Sequence, residues 1–84
     1  MICIYLTTSE GPIGGQYLGG GYLDISIGDK WNPQESINVY DRAAESEVVE
    51  RNPAVVLRAM LEWVGEQKSK PVVKNIYLTN TFKL

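Results

Sequence analysis

Ser9-Glu10-Gly11-Pro12-Ile13-Gly14-Gly15-Gln16-Tyr17-Leu18-Gly19-Gly20-Gly21 holds six glycines and one proline in thirteen residues. How this stretch is read decides how many strands the chain has. Glycine and proline punctuate regular structure, so residues 9–21 are expected to form a long, mobile connection with at most a short extended piece around Gln16 to Leu18. On its N-terminal side Ile2, Ile4 and Leu6 alternate with Cys3, Tyr5 and Thr7, the period of two that marks a half-buried strand. On its C-terminal side Leu23, Ile25 and Ile27 alternate with Tyr22, Asp24 and Ser26, which predicts a second strand over about 22–27.

Beyond the turn at Gly28-Asp29-Lys30, the sequence predicts a third strand over about 36–43. Ile37 and Val39 would face inward, and Asn38, Tyr40 and Arg42 outward. Residues 44–51 are ambiguous between strand, loop and helical turn. Asn52-Pro53 is a helix start, because Asn is a preferred N-cap and Pro a preferred first residue. Val56, Leu57, Met60, Leu61 and Val64 then recur at three- and four-residue spacing, with Trp63 at their flank, the mark of a helix with one apolar stripe. The last strand is predicted over about 72–80, with Ile76 and Leu78 inward and Val73, Asn75, Tyr77 and Thr79 outward. Lys74 interrupts the inward set, as expected at a strand end or sheet edge. Phe82 and Leu84 are expected to dock the tail.

The expected fold is therefore α+β. It is a single small domain, residues 1–84, with a mainly antiparallel sheet of about four strands and one helix on one face, in the order β-β-β-α-β. That order resembles the truncated ribonuclease-H-like folds of some antitoxins, a likeness of element order in which no diagnostic residue is shared.

Composition narrows the chemistry. The net charge is −2, with one cysteine and no histidine among 84 residues. An intramolecular disulfide, a Ser-His-Asp or Cys-His nucleophile, and a Cys/His zinc site are all excluded within the chain. The acidic balance argues against a protein built to grip phosphate backbone, which needs clustered Lys and Arg. The glycine stretch lacks the Lys-Ser or Lys-Thr of a phosphate loop, and GxGxxG is absent because Asp24 stands where the last glycine would be. Asp24 and Asp41 alone do not make a two-metal site. Cys3, with no base beside it in sequence, reads as a small sheet residue. No cofactor and no metal are expected. With no signal-like N-terminus and no long apolar run, a cytoplasmic setting is expected.

One pattern points toward function. Tyr5, Tyr22, Tyr40 and Tyr77 all fall in the outward set of their expected strands, and would stand on the face the helix leaves open. Tyrosine combines contact area with a polar tip and is enriched at protein contacts. Arg42 and Asn75 would flank it. The outward neighbours are near neutral, which favours a protein partner over nucleic acid. Glu45, Glu47 and Glu50 form an acidic patch suited to a basic groove on such a partner.

The expected function is a non-enzymatic protein-binding module that inhibits a larger protein or nucleoprotein complex. Size and acidity, rather than any single residue, place it with the inhibitors that phages and other mobile elements direct against host defence, anti-CRISPR proteins among them. The alternatives are a single-stranded nucleic-acid-binding module that stacks bases on the tyrosines, and a homo-oligomeric assembly protein.

Overall fold

The computed structural model describes residues 1–43, 49 and 52–80. Within them the element order is β1 (Ile2–Thr8), β2 (Gly11–Tyr17), β3 (Tyr22–Ile27), β4 (Pro33–Asn38), a 3-10 turn (Tyr40–Arg42), α1 (Pro53–Gly65) and β5 (Val73–Asn80). The class is α+β as expected, but with five strands in the order β-β-β-β-α-β. All pairings are antiparallel, and the sheet runs β4-β3-β2-β1-β5.

The added strand is the glycine-rich one. β2 lies at the centre of the sheet, pairing β1 along Ile2↔Tyr17 to Thr8↔Gly11 and β3 along Ile13↔Ile27 to Tyr17↔Leu23. The expected mobile loop over 9–21 is thus a turn, a central strand and a second turn. Glycine inside a strand often marks a place where other groups approach the backbone closely. Here this happens on both faces. A Cβ on Gly15 would meet Met60 Sδ at 2.9 Å and Leu23 Cδ1 at 3.3 Å on the helix side. A Cβ on Gly14 would meet the ring of Trp31 at 3.4 Å on the other.

The turn from β1 to β2 is fixed by Thr8, whose Oγ1 donates to Gly11 O at 2.8 Å and accepts from Glu10 N at 3.1 Å. At the far end of β2, Gly21 N donates to the Tyr17 hydroxyl at 3.2 Å. Tyr17 itself is buried in the core. Gly21 has φ +89° and the Tyr40 ring lies against it, so any side chain there would meet both strain and a clash.

The core lies between the sheet and α1. Ile2, Ile4, Leu6, Ile13, Leu23 and Ile25 meet Val55, Val56, Ala59, Met60, Trp63 and Val64. Leu57 and Leu61, expected in the buried stripe, pack only partly against the core. The stripe is rotated toward Val55, Ala59 and Trp63, because Trp63 turns inward. Asn52 caps α1 as its sequence position predicts, with its side chain accepting from Ala54 N at 3.2 Å and Pro53 following. Asn52→Ala is expected to cost about 1 kcal/mol, read as a lower urea midpoint with unchanged slope.

Two expectations about the course of the strands need correction. β4 stops at Asn38 rather than continuing to residue 43. The Asn38 side chain accepts from Tyr40 N at 2.9 Å, and this local bond turns the backbone out of the strand. In β5, Thr7 pairs Asn75 while Thr8 pairs Val73, so Lys74 is the extra residue of a bulge. A bulge resets which side chains face inward, and Val73 accordingly packs on the core instead of facing out. Lys74 thus marks a sheet edge, as its sequence position suggested. Ile27 keeps the helix-side face expected of it, opposite Ile13, but is 47% exposed at a hollow that it lines with Trp63 and Gln67.

Candidate functional site: an aromatic row on the open sheet face

Strand alternation and register place Cys3, Tyr5 and Thr7 of β1 on the helix-free face. Beside them stand Pro12, Gly14 and Gln16 of β2, Tyr22, Asp24 and Ser26 of β3, and Asn75, Tyr77 and Thr79 of β5. Tyr5 and Tyr77 are direct cross-strand partners. Their ring centroids are 6.1 Å apart with planes tilted by 46°, within the range in which aromatic pairs attract. Asn75 is the next residue on the same face of β5, its Nδ2 donating to Thr7 Oγ1 at 3.2 Å.

The same transverse row continues from Tyr5 to Gly14 and from Gly14 to Ser26. Gly14 offers no side chain, and Trp31 fills the place. It arrives from the loop after β3, which folds back onto the sheet because Ser26 holds it. Ser26 Oγ donates to Lys30 O at 3.2 Å and accepts from Asn32 N at 2.8 Å. Ser26 faces outward as expected from its strand, but these bonds and the loop bury it to 2% exposure.

The result is an aromatic row, Tyr77, Tyr5 and Trp31, from three separate parts of the chain. Tyr5, Tyr77 and Trp31 are 45%, 58% and 45% exposed. They wall a cleft of about 220 Å³ whose floor is the bare backbone of Gly14 and Gly15, with Gln16 and Thr79 at its rim. An engineered cavity of about 150 Å³ holds a benzene ring, so this cleft takes one large apolar or aromatic side chain. Cys3 also lines the cleft and is half-buried.

The other site residues read from the sequence fall elsewhere. Tyr22 is on the same face but four residues from the Tyr5 row along β3, on the order of 13 Å away. Tyr40 and Arg42 are not outward strand residues, since both belong to the 3-10 turn. Tyr40 rests against Gly21. Arg42 reaches to the helix side, where its guanidinium donates to both carboxylate oxygens of Glu66 at 2.7 and 2.8 Å and lies 3.7 Å from Glu62. Asp41 goes with that turn and does not stand beside Asp24. Among the described residues no group of three or more Cys, Asp or Glu side chains is placed to hold a metal ion. Glu45, Glu47 and Glu50 lie outside the described residues, as do Phe82 and Leu84.

The Arg42–Glu66 pair has its own pH signature. The two hydrogen bonds from Arg42 hold the Glu66 carboxyl below its ordinary range, and the same bonds raise the Arg42 guanidinium further. A carboxylate lowered on folding stabilises the fold above the ordinary carboxylate range, and the benefit is lost as pH falls through its folded value. The pair is solvent-exposed, so the effect is small and salt-sensitive. Glu66→Gln is expected to reduce the drop in Tm between about pH 7 and about pH 3.

Trp31 was missed by the sequence reading. Its signal was an aromatic residue between two breaks, Gly28-Asp29-Lys30 and Asn32-Pro33, a position that neither strand nor helix packing explains. No helix among the described residues is long and apolar enough to cross a membrane. Comparison of the chain with protein-family models, with curated proteins and with solved structures finds no significant match.

Proposed function

We propose that this chain is a non-enzymatic protein-binding module whose contact surface is the helix-free face of the sheet, centred on Tyr5, Tyr77 and Trp31. One observation carries this reading. Three aromatics from distant parts of the sequence converge on a cleft with a backbone floor, and two of the supports, Gly14 and Ser26, serve that convergence. Binding energy at protein contacts concentrates in such aromatic anchors and the pockets beside them. An aromatic row also suits base stacking, but such sites carry Lys or Arg between the aromatics. No outward strand residue on this face is basic; Lys30 lines the neighbouring hollow with Tyr5 and Trp31, but Asp29 stands beside it there and Asp24 is acidic. Protein therefore stands ahead of nucleic acid as the partner. Inhibition of a larger protein or nucleoprotein complex, of the kind mobile elements direct at host defence, is the role that small size and acidity favour.

The test is affinity capture from source-cell or host lysate with nuclease present, using the wild-type chain and a Tyr5→Ala/Trp31→Ala variant of verified fold. A stoichiometric protein held by the wild type and lost with the variant is the expected result. Recovery of nucleic acid that nuclease abolishes would favour the stacking role instead. A concentration-dependent mass with no captured protein would favour self-assembly through the tyrosine face.

A further inference from the structure

β5 is an edge strand of eight residues, and Lys74 to Thr79 are exposed without interruption. On the helix side the sheet row changes abruptly at this edge. Leu6 and Ile4 of β1 are 0% and 2% exposed, while their partners Ile76 and Leu78 in β5 are 44% and 39% exposed. The helix reaches both strands, yet it leaves Ile76 and Leu78 of β5 partly open. On the opposite face Tyr77 is exposed as well. An antiparallel ladder uses alternate residues of a strand, so the β1 pairing leaves every second N–H and C=O of β5 directed away from the sheet. Among the described residues nothing pairs with that outer edge. A long edge strand with Ile76 and Leu78 exposed on one face and Tyr77 on the other is a template for another chain.

Charge selects the chain. Lys68, Lys70 and Lys74 lie before and within β5, and residues 67–84 contain no Asp or Glu. A second copy of β5 would offer no acidic side chain to these lysines, and in parallel pairing would set Lys74 against Lys74. An extended segment carrying acidic side chains would instead meet complementary charge.

We propose that β5 is a strand-docking edge, and that the partner of this protein adds an extended, acidic segment antiparallel or parallel to it as a sixth strand. Main-chain hydrogen bonds would supply affinity and alternate side chains specificity. On the helix side the added strand covers Ile76 and Leu78. On the open face it covers Tyr77 and leads directly to the cleft beside Tyr5. The proposal rests on the protein-binding role and specifies how the partner engages.

The experiment uses the ¹⁵N-labelled full chain and two synthetic peptides of about eight residues, one alternating Val with Glu and the other Val with Lys. The Val-Glu peptide is expected to shift and protect alternate amides of Val73–Asn80 and to bind at least about tenfold tighter at low salt, a gap that narrows as salt is raised. Lys74→Glu, at an exposed bulge position, should weaken the Val-Glu peptide and strengthen the Val-Lys one. Absence of shifts at β5 with either peptide would overturn the proposal, as would shifts confined to Tyr5, Gly14 and Trp31. Dimerisation through β5 without peptide would also overturn it, assigning the edge to a second copy. Loss of lysate capture on Tyr5→Ala/Trp31→Ala with no peptide binding at β5 would leave the aromatic contact standing and remove only the strand addition.

Discussion

Trp31→Ala is expected to weaken partner binding by about 2 kcal/mol or more, at least about thirtyfold in Kd. Tyr77 and Tyr5 would still touch each other, but the cleft would lose its third wall and open onto the loop after β3. The partner side chain seated there would then remain in contact with water. Fold stability should change much less, because Trp31 is 45% exposed and the loop stays tied to Ser26 through the Lys30 and Asn32 backbones. Gly14→Leu gives an independent route to the same outcome. Its side chain would occupy the place of the Trp31 ring, which lies 3.4 Å from where a Cβ would be. Titration of the captured partner by calorimetry, with Tm recorded for each variant, checks both. Equal losses in affinity and in stability would mean that Trp31 serves the fold alone.

Gly15→Val is the substitution expected to cost most in stability, about 3 kcal/mol. Gly15 is buried in the central strand between Ile4 and Ile25. Its missing side chain is what lets α1 approach the sheet. A Cβ at this position would already stand 2.9 Å from Met60 Sδ, 3.2 Å from Met60 Cε and 3.3 Å from Leu23 Cδ1. Methionine is flexible and yields to a single methyl group, so Gly15→Ala should be milder. A branched side chain also presses on Leu23, which is fully buried. Urea unfolding at equilibrium should show the midpoint falling in the order wild type, Ala, Val. A valine variant as stable as wild type would mean that the helix does not rest on β2.

These two glycines also explain which parts of the fold the sequence revealed. β1, β3 and α1 were legible because each carries enough apolar side chains to display a period. β2 has only Ile13 and Tyr17 to mark its buried side. Gly14 and Gly15 were chosen by what leans on them from outside the strand, Trp31 on one face and Met60 on the other, so local composition read as a loop. The inward set of β5 was legible at Ile76 and Leu78 but not at Val73, since nothing local announces the bulge at Lys74. β4 is shorter than its alternation suggests, because the Asn38 side chain bonds to Tyr40 N and ends the strand.

The candidate site was half legible. Tyr5 and Tyr77 could be placed from strand alternation, and they meet across β1 and β5. Tyr22 shares their face but stands apart. Tyr40 and Arg42 fall outside the site, because the strand ends before them and they form the 3-10 turn. Arg42 in fact ties the 3-10 turn to the end of α1 through Glu66. Trp31 could not be placed, because its position depends on a loop held by Ser26 and on a vacancy above Gly14. Both are tertiary facts.

The measurement that bears most directly on the open sheet face as the contact surface is side-chain oxidation footprinting of the chain, alone and bound to its captured partner. Tyr5, Trp31 and Tyr77 should be oxidised in the unbound chain and protected in the complex, with the helix-side Met60 and Trp63 shielded in both. Unchanged oxidation of Tyr5, Trp31 and Tyr77 on binding, with protection at the outer surface of α1 instead, would contradict the account.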